Sequence, residues 1–292
     1  MGYLPGRVIS FMISRFWLIL GLVLLMGFAP GVQAESPLRI GTTAVFLDDQ
    51  VDFLSAWQEY LEQRLGRQVI FVRRGNYGEI NDLLQRDQLE FAWTCGYPYV
   101  RYKSRLRLLA VPLFNGKPLY QSYLIVPETD THTRDYGDLK GTMFAYSDPN
   151  SNSGWLVPQY EMYKRSIDSA VFFRKFFFTW AHRKVVEAVA AGLADAGAVD
   201  GYVWETLALQ HPDLTSKTRV VYKSAWYGFP PLVARRSMSA TDFERMQQVL
   251  LNMDQDAQGR ALLKRLNLDG FVAGNDEIFA GIASNMRQLG AQ

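Results

Sequence analysis

The order of short strands and helices along the chain predicts an α/β fold with doubly wound sheets. Apolar residues between positions 51 and 65 recur at helical spacing, and Gly66 follows them as a helix stop. A compact β-rich run, Val69-Ile70-Phe71-Val72, comes directly afterwards. Short strands that alternate with helices of roughly 10–15 residues predict a parallel, doubly wound sheet with helices on both faces.

The remaining elements follow from the same spacing rules. The first part of the chain gives strands at 38–41, 69–72, 89–93 and 123–126, and helices at 51–65 and 77–86. The middle gives a strand at 143–146, a polar turn at 147–154, a helix to about 164, a strand-like run at 172–178, a helix at 182–191 and a strand at 196–199. The last third is mostly helical, at about 241–253, 257–266 and 276–288.

Composition and charge exclude several classes of protein. The 292 residues carry 31 Lys and Arg against 29 Asp and Glu, a net charge of +2 that is too small for a strongly basic nucleic-acid binder. Hydrophobic residues make up 48% of the chain, which suits a real core and not a disordered chain. The single Cys95 and three scattered histidines give no disulfide framework and no metal-ligand spacing. We therefore expect neither a metal nor a cofactor.

The first 34 residues have the features of a secretory signal. They contain Arg7 and Arg15 and no acid, and residues 16–28 carry no charge. That run is shorter than the roughly 20 apolar residues of a transmembrane helix and fits the roughly 7–15 of a signal core. Val32-Gln33-Ala34 supplies a cleavage site. We predict a signal peptide over 1–34 and a periplasmic, soluble mature chain; an uncleaved N-terminal anchor is the alternative.

The polar turn between the strand at 143–146 and the next helix is the most informative segment. Small hydroxyl side chains and a glycine at a helix N-terminus let an anion approach unpaired backbone N–H groups. Ser151, Asn152, Ser153 and Gly154 thus form a candidate oxyanion cradle, and plain helix capping is the alternative. His182, at the start of a later helix, is a second candidate donor, with an ordinary capping or half-buried histidine as its alternative.

Enzyme motifs are missing from the sequence. It contains no G-x-S-x-G elbow, no G-x-G-x-x-G and no P-loop lysine motif. Ser153 and His182 are a conceivable nucleophile and base, but no third member is suggested by position. We therefore expect a protein that is not an enzyme, with a hydrolase as the less favoured alternative.

One run of residues resembles a known family. Asp148-Pro149-Asn150-Ser151-Asn152-Ser153-Gly154-Trp155-Leu156-Val157-Pro158 is similar to the D-P-x-S-x-S-G-aromatic-L-x-P signature of the periplasmic phosphate/phosphite/phosphonate-binding proteins of ABC transporters. Supporting landmarks in the same order are Tyr77-Gly78-Glu79-Ile80, Phe91-Ala92-Trp93, His182 at a helix start and the segment 195–200. The resemblance covers essentially all of residues 38–292.

The resemblance implies a type II periplasmic solute-binding fold. In that fold, two doubly wound lobes are joined by a two-stranded hinge and close on a ligand. We expect lobe 1 to comprise residues 35–127 and 228–292, and lobe 2 residues 128–227, with crossovers near 126–130 and 224–231.

The resemblance also implies the residues that hold the ligand. Ser151, Asn152, Ser153, Gly154 and His182 match the oxygen-binding positions of one lobe. Tyr77 and Tyr120 match those of the other lobe, and Thr94 and Asp200 are further candidates. Asn152 replaces the usual threonine, and Thr94-Cys95-Gly96-Tyr97-Pro98 replaces the usual glycine-proline turn.

The implied ligand is a small phosphorus oxyanion. Relatives that take aminoalkylphosphonates have acids near the late strand and second hinge, whereas the matched segments here, 201–203 and 228–231, contain none. An unpaired ammonium buried there would be costly. We expect phosphite, phosphate or methylphosphonate over 2-aminoethylphosphonate, although Asp200 weakens this inference if its side chain points inward.

The implied partner is an ABC permease in the inner membrane, and we expect a monomer that binds no nucleic acid. Two alternatives keep the same fold. One is a ligand sensor that docks on a membrane receptor kinase, and the other is a binder of a sulfonate or carboxylate.

Overall fold

The structure, a computed structural model, describes residues 1–2, 35–43 and 51–291, with Val51 described by its backbone alone. The predicted signal peptide lies outside the described residues, apart from Met1 and Gly2. All of the elements below lie in one compact unit, Pro37–Gln292.

Strands and helices alternate through most of this unit. In chain order the strands are β1 (Leu38–Thr42), β2 (Val69–Arg73), β3 (Phe91–Trp93), β4 (Leu106–Leu113), β5 (Leu119–Tyr120), β6 (Ser122–Pro127), β7 (Met143–Tyr146), β8 (Lys175–Phe178), β9 (Ala196–Asp200), β10 (Thr218–Lys223), β11 (Tyr227–Gly228), β12 (Leu232–Arg235) and β13 (Gly270–Val272). The α-helices are α1 (Val51–Leu65), α2 (Tyr77–Gln85), α3 (Gly96–Arg101), α4 (Val157–Lys164), α5 (Ser169–Phe172), α6 (His182–Ala190), α7 (Gly201–Gln210), α8 (Pro212–Thr215), α9 (Ala240–Leu251), α10 (Ala257–Leu266) and α11 (Ala280–Gln288).

The strands form two mixed sheets. One sheet has the order β13-β4-β12-β3-β1-β2 and the other β10-β6-β9-β7-β8. The neighbours of β1 and β7 run parallel to them, as predicted, but β12 and β6 run antiparallel to both of their partners. Both of these strands start where a parallel strand ends, since Leu232 pairs with Trp93 and Ser122 with Asp200. A strand that begins at the carboxyl end of its neighbour must run antiparallel to it. The expectation of a purely parallel sheet was therefore wrong.

A short ribbon lies at the points where the chain changes sheets. Strands β5 and β11 pair antiparallel, with Tyr227 opposite Tyr120. The chain leaves the first sheet after Leu113 and returns to it at Leu232. Because β6 pairs with β9 and β10, the first change comes before Ser122, earlier than the crossover that we expected near 126–130. The division into lobes at residues 127 and 228 stays a prediction.

The predicted helical spacing of α1 is confirmed, and it builds the core beside the first sheet. Its residues Phe53, Trp57, Tyr60 and Leu61 are all 1% exposed or less. The ring centroids of Trp57 and Trp93 lie 6.0 Å apart, edge to face, which joins helix to sheet.

The second sheet has an aromatic core of its own. The rings of Phe144 and Phe173 stack at 4.7 Å, beside the buried Tyr146. The predicted strand-like run at 172–178 divides here into α5 and β8. It divides because the Asp168 carboxylate accepts the backbone N–H of Ala170 and starts a helical turn.

Within the described residues, no helix has the length and apolar character needed to cross a membrane.

Candidate functional site

The serine-rich turn after β7 holds its shape through its own polar atoms. Asp148 starts it, since its backbone carbonyl accepts the N–H of Ser151 at 2.9 Å and its Oδ1 accepts the N–H of Asn150 at 2.7 Å. The chain then forms a π-helical turn, Asn152–Leu156, before α4 begins at Val157. π-Helical turns are rare and frequent at functional sites. The predicted helix therefore exists, but its first turn is wider than expected.

The glycine of this turn is required by close backbone packing. A Cβ built on Gly154 would lie 1.8 Å from Ser147 Oγ and 3.2 Å from His182 Cε1. No side chain fits in that space. The backbone of the turn therefore lies against both of these polar side chains.

Ser151 and Ser153, two of the three serines of the turn, have different environments. Ser151 Oγ accepts the backbone N–H of Gly154 at 3.0 Å, so Ser151 does act as the helix cap. Ser153 Oγ is buried and has no hydrogen-bond partner among the described residues. Capping thus accounts for one of the two hydroxyl groups, and the other remains available to a ligand.

His182 is buried at the start of α6, beside the turn. Its Nδ1 accepts the backbone N–H of Asp200 at 3.1 Å, so the proton of the neutral ring is on Nε2. Nε2 lies 3.4 Å from Ser151 Oγ. Burial lowers the pKa of His182 to about 3, which keeps the ring neutral at pH 7. The imidazole can therefore donate one hydrogen bond without bringing a charge.

Asn152 links the turn to residues on the side of the first sheet. Its Nδ2 donates to Tyr120 Oη at 3.0 Å, and its backbone N–H donates to Cys95 Sγ at 3.1 Å. Its Oδ1 is buried without a partner in the described chain. Turning the amide over would let Tyr120 donate to Oδ1 and would point Nδ2 in the direction that Oδ1 now faces.

Tyr77 comes to the site from the N-terminus of α2. Its backbone N–H donates to Asp148 Oδ2 at 3.0 Å, which fixes α2 against the serine-rich turn. Its Oη is buried, and no described residue bonds to it. Burial raises the pKa of Tyr77, and of Tyr120, well above 10. Both phenols therefore keep their protons and can donate to an anion.

Asp200 belongs to the site, and Thr94 is already engaged nearby. Asp200 Oδ1 accepts the N–H of Tyr202 at 2.9 Å and caps α7, whereas its Oδ2 is buried with no partner in the described ranges. Burial raises the pKa of Asp200 to about 8. Thr94 Oγ1 donates to Asn81 Oδ1 at 3.3 Å, and its N–H bonds to the Pro231 carbonyl. Thr94 thus has a structural partner already.

Sequence reasoning missed three residues here. Ser147 Oγ lies beneath Gly154, buried and without a partner among the described atoms. Ser122 Oγ donates to the Ser153 carbonyl at 2.6 Å, and Cys95 accepts the Asn152 N–H. The position of Ser147 at the start of the polar turn was a usable signal. Ser122 and Cys95 gave none, because only the packing of the two sheets brings them to the turn.

Together, these residues leave a cluster of hydrogen-bonding groups without partners. Buried polar atoms are normally paired in folded proteins. Those left unpaired in this part of the described chain are Tyr77 Oη, Ser147 Oγ, Asn152 Oδ1, Ser153 Oγ and Asp200 Oδ2. No Lys or Arg stands among them. In the described ranges, no group of three or more His, Cys, Asp or Glu could hold a metal ion. The cluster therefore suits a small, oxygen-rich ligand that neutral donors can hold.

Comparison with known proteins identifies the family. The model of the family described as "ABC transporter, phosphonate, periplasmic substrate-binding protein" matches residues 40–279. The phosphonates-binding periplasmic protein of Escherichia coli (strain K12) is 25% identical over 262 residues, which are 86% of this chain and 76% of that protein. A probable ABC transporter phosphite-binding protein of Prochlorococcus marinus (strain MIT 9301) is 26% identical over 157 residues, 52% of this chain and 53% of its own.

Solved structures show the same fold. A binding-protein component of an ABC phosphonate transporter from Pseudomonas aeruginosa superposes with a TM-score of 0.79, at 22% identity, over 86% of this chain and 85% of its own. The PhnD1 protein of Prochlorococcus marinus, solved with methylphosphonate, gives a TM-score of 0.77 at 20% identity, over 88% of this chain and 99% of its own. The fold is that of type II periplasmic binding proteins, as the resemblance implied. With the family model matching most of its length, the chain belongs to the periplasmic substrate-binding proteins of phosphonate ABC transporters.

Proposed function

We propose that this protein captures a small phosphorus oxyanion, namely phosphite, phosphate or methylphosphonate, and delivers it to an ABC permease in the inner membrane. The observation that carries the proposal is the cluster of buried hydroxyl and phenol groups around the serine-rich turn. The names of the relatives support the ligand class, since they include phosphonates, phosphite and methylphosphonate. They do not choose among these ligands.

Neutral donors hold the anion in this proposal. Ser153 Oγ and the Nε2–H of His182 bind from one side, and Tyr77 and Tyr120 bind from the other. Hydrogen bonds between neutral donors and an anion are about twice as strong as those between neutral groups. Several of them in a water-excluding site can replace the hydration shell of an anion without a cation.

We propose that the ligand lies between two lobes that close on it. Lobe 1 holds the first sheet and lobe 2 the second, which includes β6, and β5 and β11 form the hinge. The bonds from Asn152 to Tyr120 and Cys95, and from Tyr77 to Asp148, would be the contacts made on closure. Closure about a short hinge is a common way for a binding protein to enclose its ligand.

The ligand carries a small substituent or none. A phosphonate with an alkylammonium tail needs an acid that is free to pair with the tail. Asp200 has a buried oxygen that such a tail could pair with, since only its other oxygen is engaged in capping α7. The inference that methylphosphonate, phosphite and phosphate bind more tightly than 2-aminoethylphosphonate therefore rests on the segments 201–203 and 228–231, which contain no acid, and Asp200 weakens it.

Calorimetry with a panel of anions tests this function. The panel is phosphite, phosphate, methylphosphonate, 2-aminoethylphosphonate, sulfate and methanesulfonate, each titrated into the purified protein. We expect heat with at least one of the first three and the tightest binding among them. No heat with any phosphorus compound would refute the proposed function, and tightest binding of 2-aminoethylphosphonate would refute the size argument. Tightest binding of a sulfonate would show that the ligand is a sulfur oxyanion instead.

We further propose that residues 1–34 are a signal peptide removed on export to the periplasm. Arg7, Arg15 and the uncharged run at 16–28 support this assignment. The intact mass of the protein recovered from the periplasm should correspond to a chain that begins at Glu35. A mass that retains the first 34 residues would show an uncleaved anchor instead.

A further inference from the structure

One oxygen of Asp200 is not explained by the local structure. The residue ends β9 and is 1% exposed, and its Oδ1 caps α7 through the N–H of Tyr202. A helix cap of this kind needs one carboxylate oxygen. The other, Oδ2, is buried without a partner in the described part of the chain. Leaving a buried carboxylate oxygen unpaired is costly, so a partner is to be expected.

That oxygen lies among the proposed ligand-binding groups. The Asp200 N–H donates to His182 Nδ1 at 3.1 Å. Asp200 pairs in register with Ser122, whose Oγ donates to the Ser153 carbonyl at 2.6 Å. A charge on Asp200 also acts on the phenols of Tyr77 and Tyr120. Asp200 therefore lies beside His182, and its charge reaches the phenols on the other side of the site.

An ionised Asp200 beside a doubly charged anion would be unstable here. Two like charges repel strongly where water is excluded, and no Lys or Arg stands among the described residues of the cluster to compensate them. One proton placed between the carboxyl oxygen and the anion removes this repulsion and makes a short, charge-assisted hydrogen bond. The site therefore needs that proton.

The geometry points to Asp200 as a ligand-binding residue that holds one proton jointly with the bound anion, an inference that rests on the proposed function. If the ligand arrives as a monoanion, its P–OH donates to the ionised carboxylate. If it arrives as a dianion, the neutral carboxyl O–H donates to a phosphoryl oxygen. Both complexes contain the same atoms and the same single proton.

This arrangement couples binding to pH. The second ionisation of a phosphoryl group lies near neutral pH, at about 6 in phosphoesters, so near neutrality either the ligand or Asp200 brings the proton. Above about pH 8 the carboxyl group and the ligand have both lost their protons, so the complex must take one proton up from solution.

The histidine, cysteine and tyrosine side chains around Asp200 do not titrate between about pH 7 and pH 9, the range of this test. Those that face Asp200 or act on it are His182, Cys95, Tyr77, Tyr120, Tyr123, Tyr202 and Glu205. Burial lowers the pKa of His182 to about 3 and raises that of Cys95 to about 11, and burial raises the pKa of each of the phenols above 10. The Glu205 carboxylate accepts a hydrogen bond from Tyr123, and its charge adds to the burial that raises the pKa of Asp200 to about 8.

Proton uptake on binding is the direct measurement. Methylphosphonate is titrated into the protein at about pH 9 in two buffers of different ionisation enthalpy, because the difference in heat gives the number of protons bound. We expect the wild type to take up close to one proton. We also expect its affinity to fall by nearly tenfold per pH unit above about pH 8. Binding without measurable proton uptake would overturn the inference.

Asp200→Asn provides the matched variant. Its amide donates to a fully ionised oxygen and exchanges no proton, so uptake at about pH 9 should disappear and the affinity should become nearly independent of pH. Asp213→Asn, an exposed change of the same charge, should behave as the wild type.

The possible failures can be told apart. If no phosphorus oxyanion gives heat with the wild type, the proposed function fails and this inference falls with it. If methylphosphonate binds but the wild type takes up no proton, only the role of Asp200 is refuted. Unchanged proton uptake in a folded Asp200→Asn protein refutes it as well. Because the uptake measurement uses the wild type, it decides the question even if the variant does not fold.

Discussion

Ser151 and Ser153 lie two residues apart in one turn, but their hydroxyl groups have different hydrogen-bonding roles. Ser151 Oγ accepts the Gly154 N–H and so holds the turn in shape. Ser153 Oγ is equally buried and makes no bond within the described chain. A hydroxyl without a partner lowers the stability of the protein unless a ligand uses it. The first serine thus builds the site, and the second is assigned to the ligand.

Replacing Ser153 should therefore separate binding from stability. Ser153→Ala removes a donor to the anion, so binding of methylphosphonate should weaken by about 1–3 kcal/mol. The melting temperature without ligand should stay the same or rise, because a buried unpaired hydroxyl is lost. Calorimetry and thermal unfolding measure the two effects. Ser216→Ala, in an exposed turn, serves as the control, and wild-type affinity in Ser153→Ala would contradict the assignment.

His182 makes the stability of the protein depend on acid. Its folded pKa of about 3 lies below the ordinary histidine pKa of about 6.5, so the unfolded chain binds more protons between these two pH values. The contribution to stability is complete above about pH 6.5 and is lost as pH falls through 3, by up to about 1.4 kcal/mol per pH unit.

Chemical denaturation across this pH range tests that dependence. His182→Gln should lose free energy of unfolding less steeply on acidification than the wild type, because glutamine does not take up a proton. His132→Gln, at an exposed position, should follow the wild type. Parallel slopes for wild type and His182→Gln would show that the buried ring does not titrate as described.

At the scale of elements, the start of the helix after β7 depends on one glycine. The π-helical turn brings Gly154 so close to Ser147 that a Cβ would lie 1.8 Å from its Oγ. Both the turn and the serine must move to admit a methyl group. The geometry of the site is thus set by backbone packing as well as by its donors.

Gly154→Ala should accordingly damage binding and stability together. We expect methylphosphonate affinity to fall at least tenfold and the free energy of unfolding to fall by about 1–3 kcal/mol from overpacking. Gly75→Ala is the control, since a Cβ there would lie 4.0 Å from its nearest neighbour, Glu79 Oε1. Calorimetry and denaturant unfolding would show the difference, and near-normal binding by Gly154→Ala would rule out a rigid turn.

Local pattern was enough for some elements and not for others. Helix α1 follows from its spacing, because one face is buried against the first sheet. Strand β4 and helix α7 were missed: β4 carries Arg107 and Pro112 within its run, and α7 buries residues without a clear stripe. Tertiary pairing decides such segments.

The site could be predicted only in part for the same reason. The serine-rich turn and His182 lie in recognisable sequence contexts. The placement of Cys95 against Asn152, and the free oxygen of Asp200, depend on how two distant sheets meet. The resemblance to a family supplied Tyr77 and Tyr120, which spacing alone would not have selected.

At the scale of the whole molecule, the balance of charge and the hinge together bear on how an anion would be captured. Without residues 1–34, the chain has 29 basic and 29 acidic side chains, so overall charge does not draw an anion to it. Capture has to come from enclosure in a site that excludes water, where neutral donors are effective. The β5–β11 ribbon is the connection about which such enclosure would occur.

Closure can be measured by X-ray scattering in solution. The bonds of Asn152 to Tyr120 and Cys95 make the described structure a closed form in our account. Saturation with methylphosphonate should lower the radius of gyration and bring the scattering curve to that calculated from this structure. Sodium chloride at equal ionic strength should leave the curve unchanged. Identical curves with and without methylphosphonate would contradict hinge closure.

A crystal structure of the complex with methylphosphonate is the most direct test of the central claim. The account predicts phosphoryl oxygens at hydrogen-bonding distance, about 2.7–3.1 Å, from Ser153 Oγ, His182 Nε2 and Tyr77 Oη. It also predicts one such oxygen against Asp200 Oδ2. Methylphosphonate bound elsewhere, for example in the surface cavity of about 440 Å³ lined by Lys103, Arg107 and Arg236, with the serine-rich turn free of it, would contradict the account.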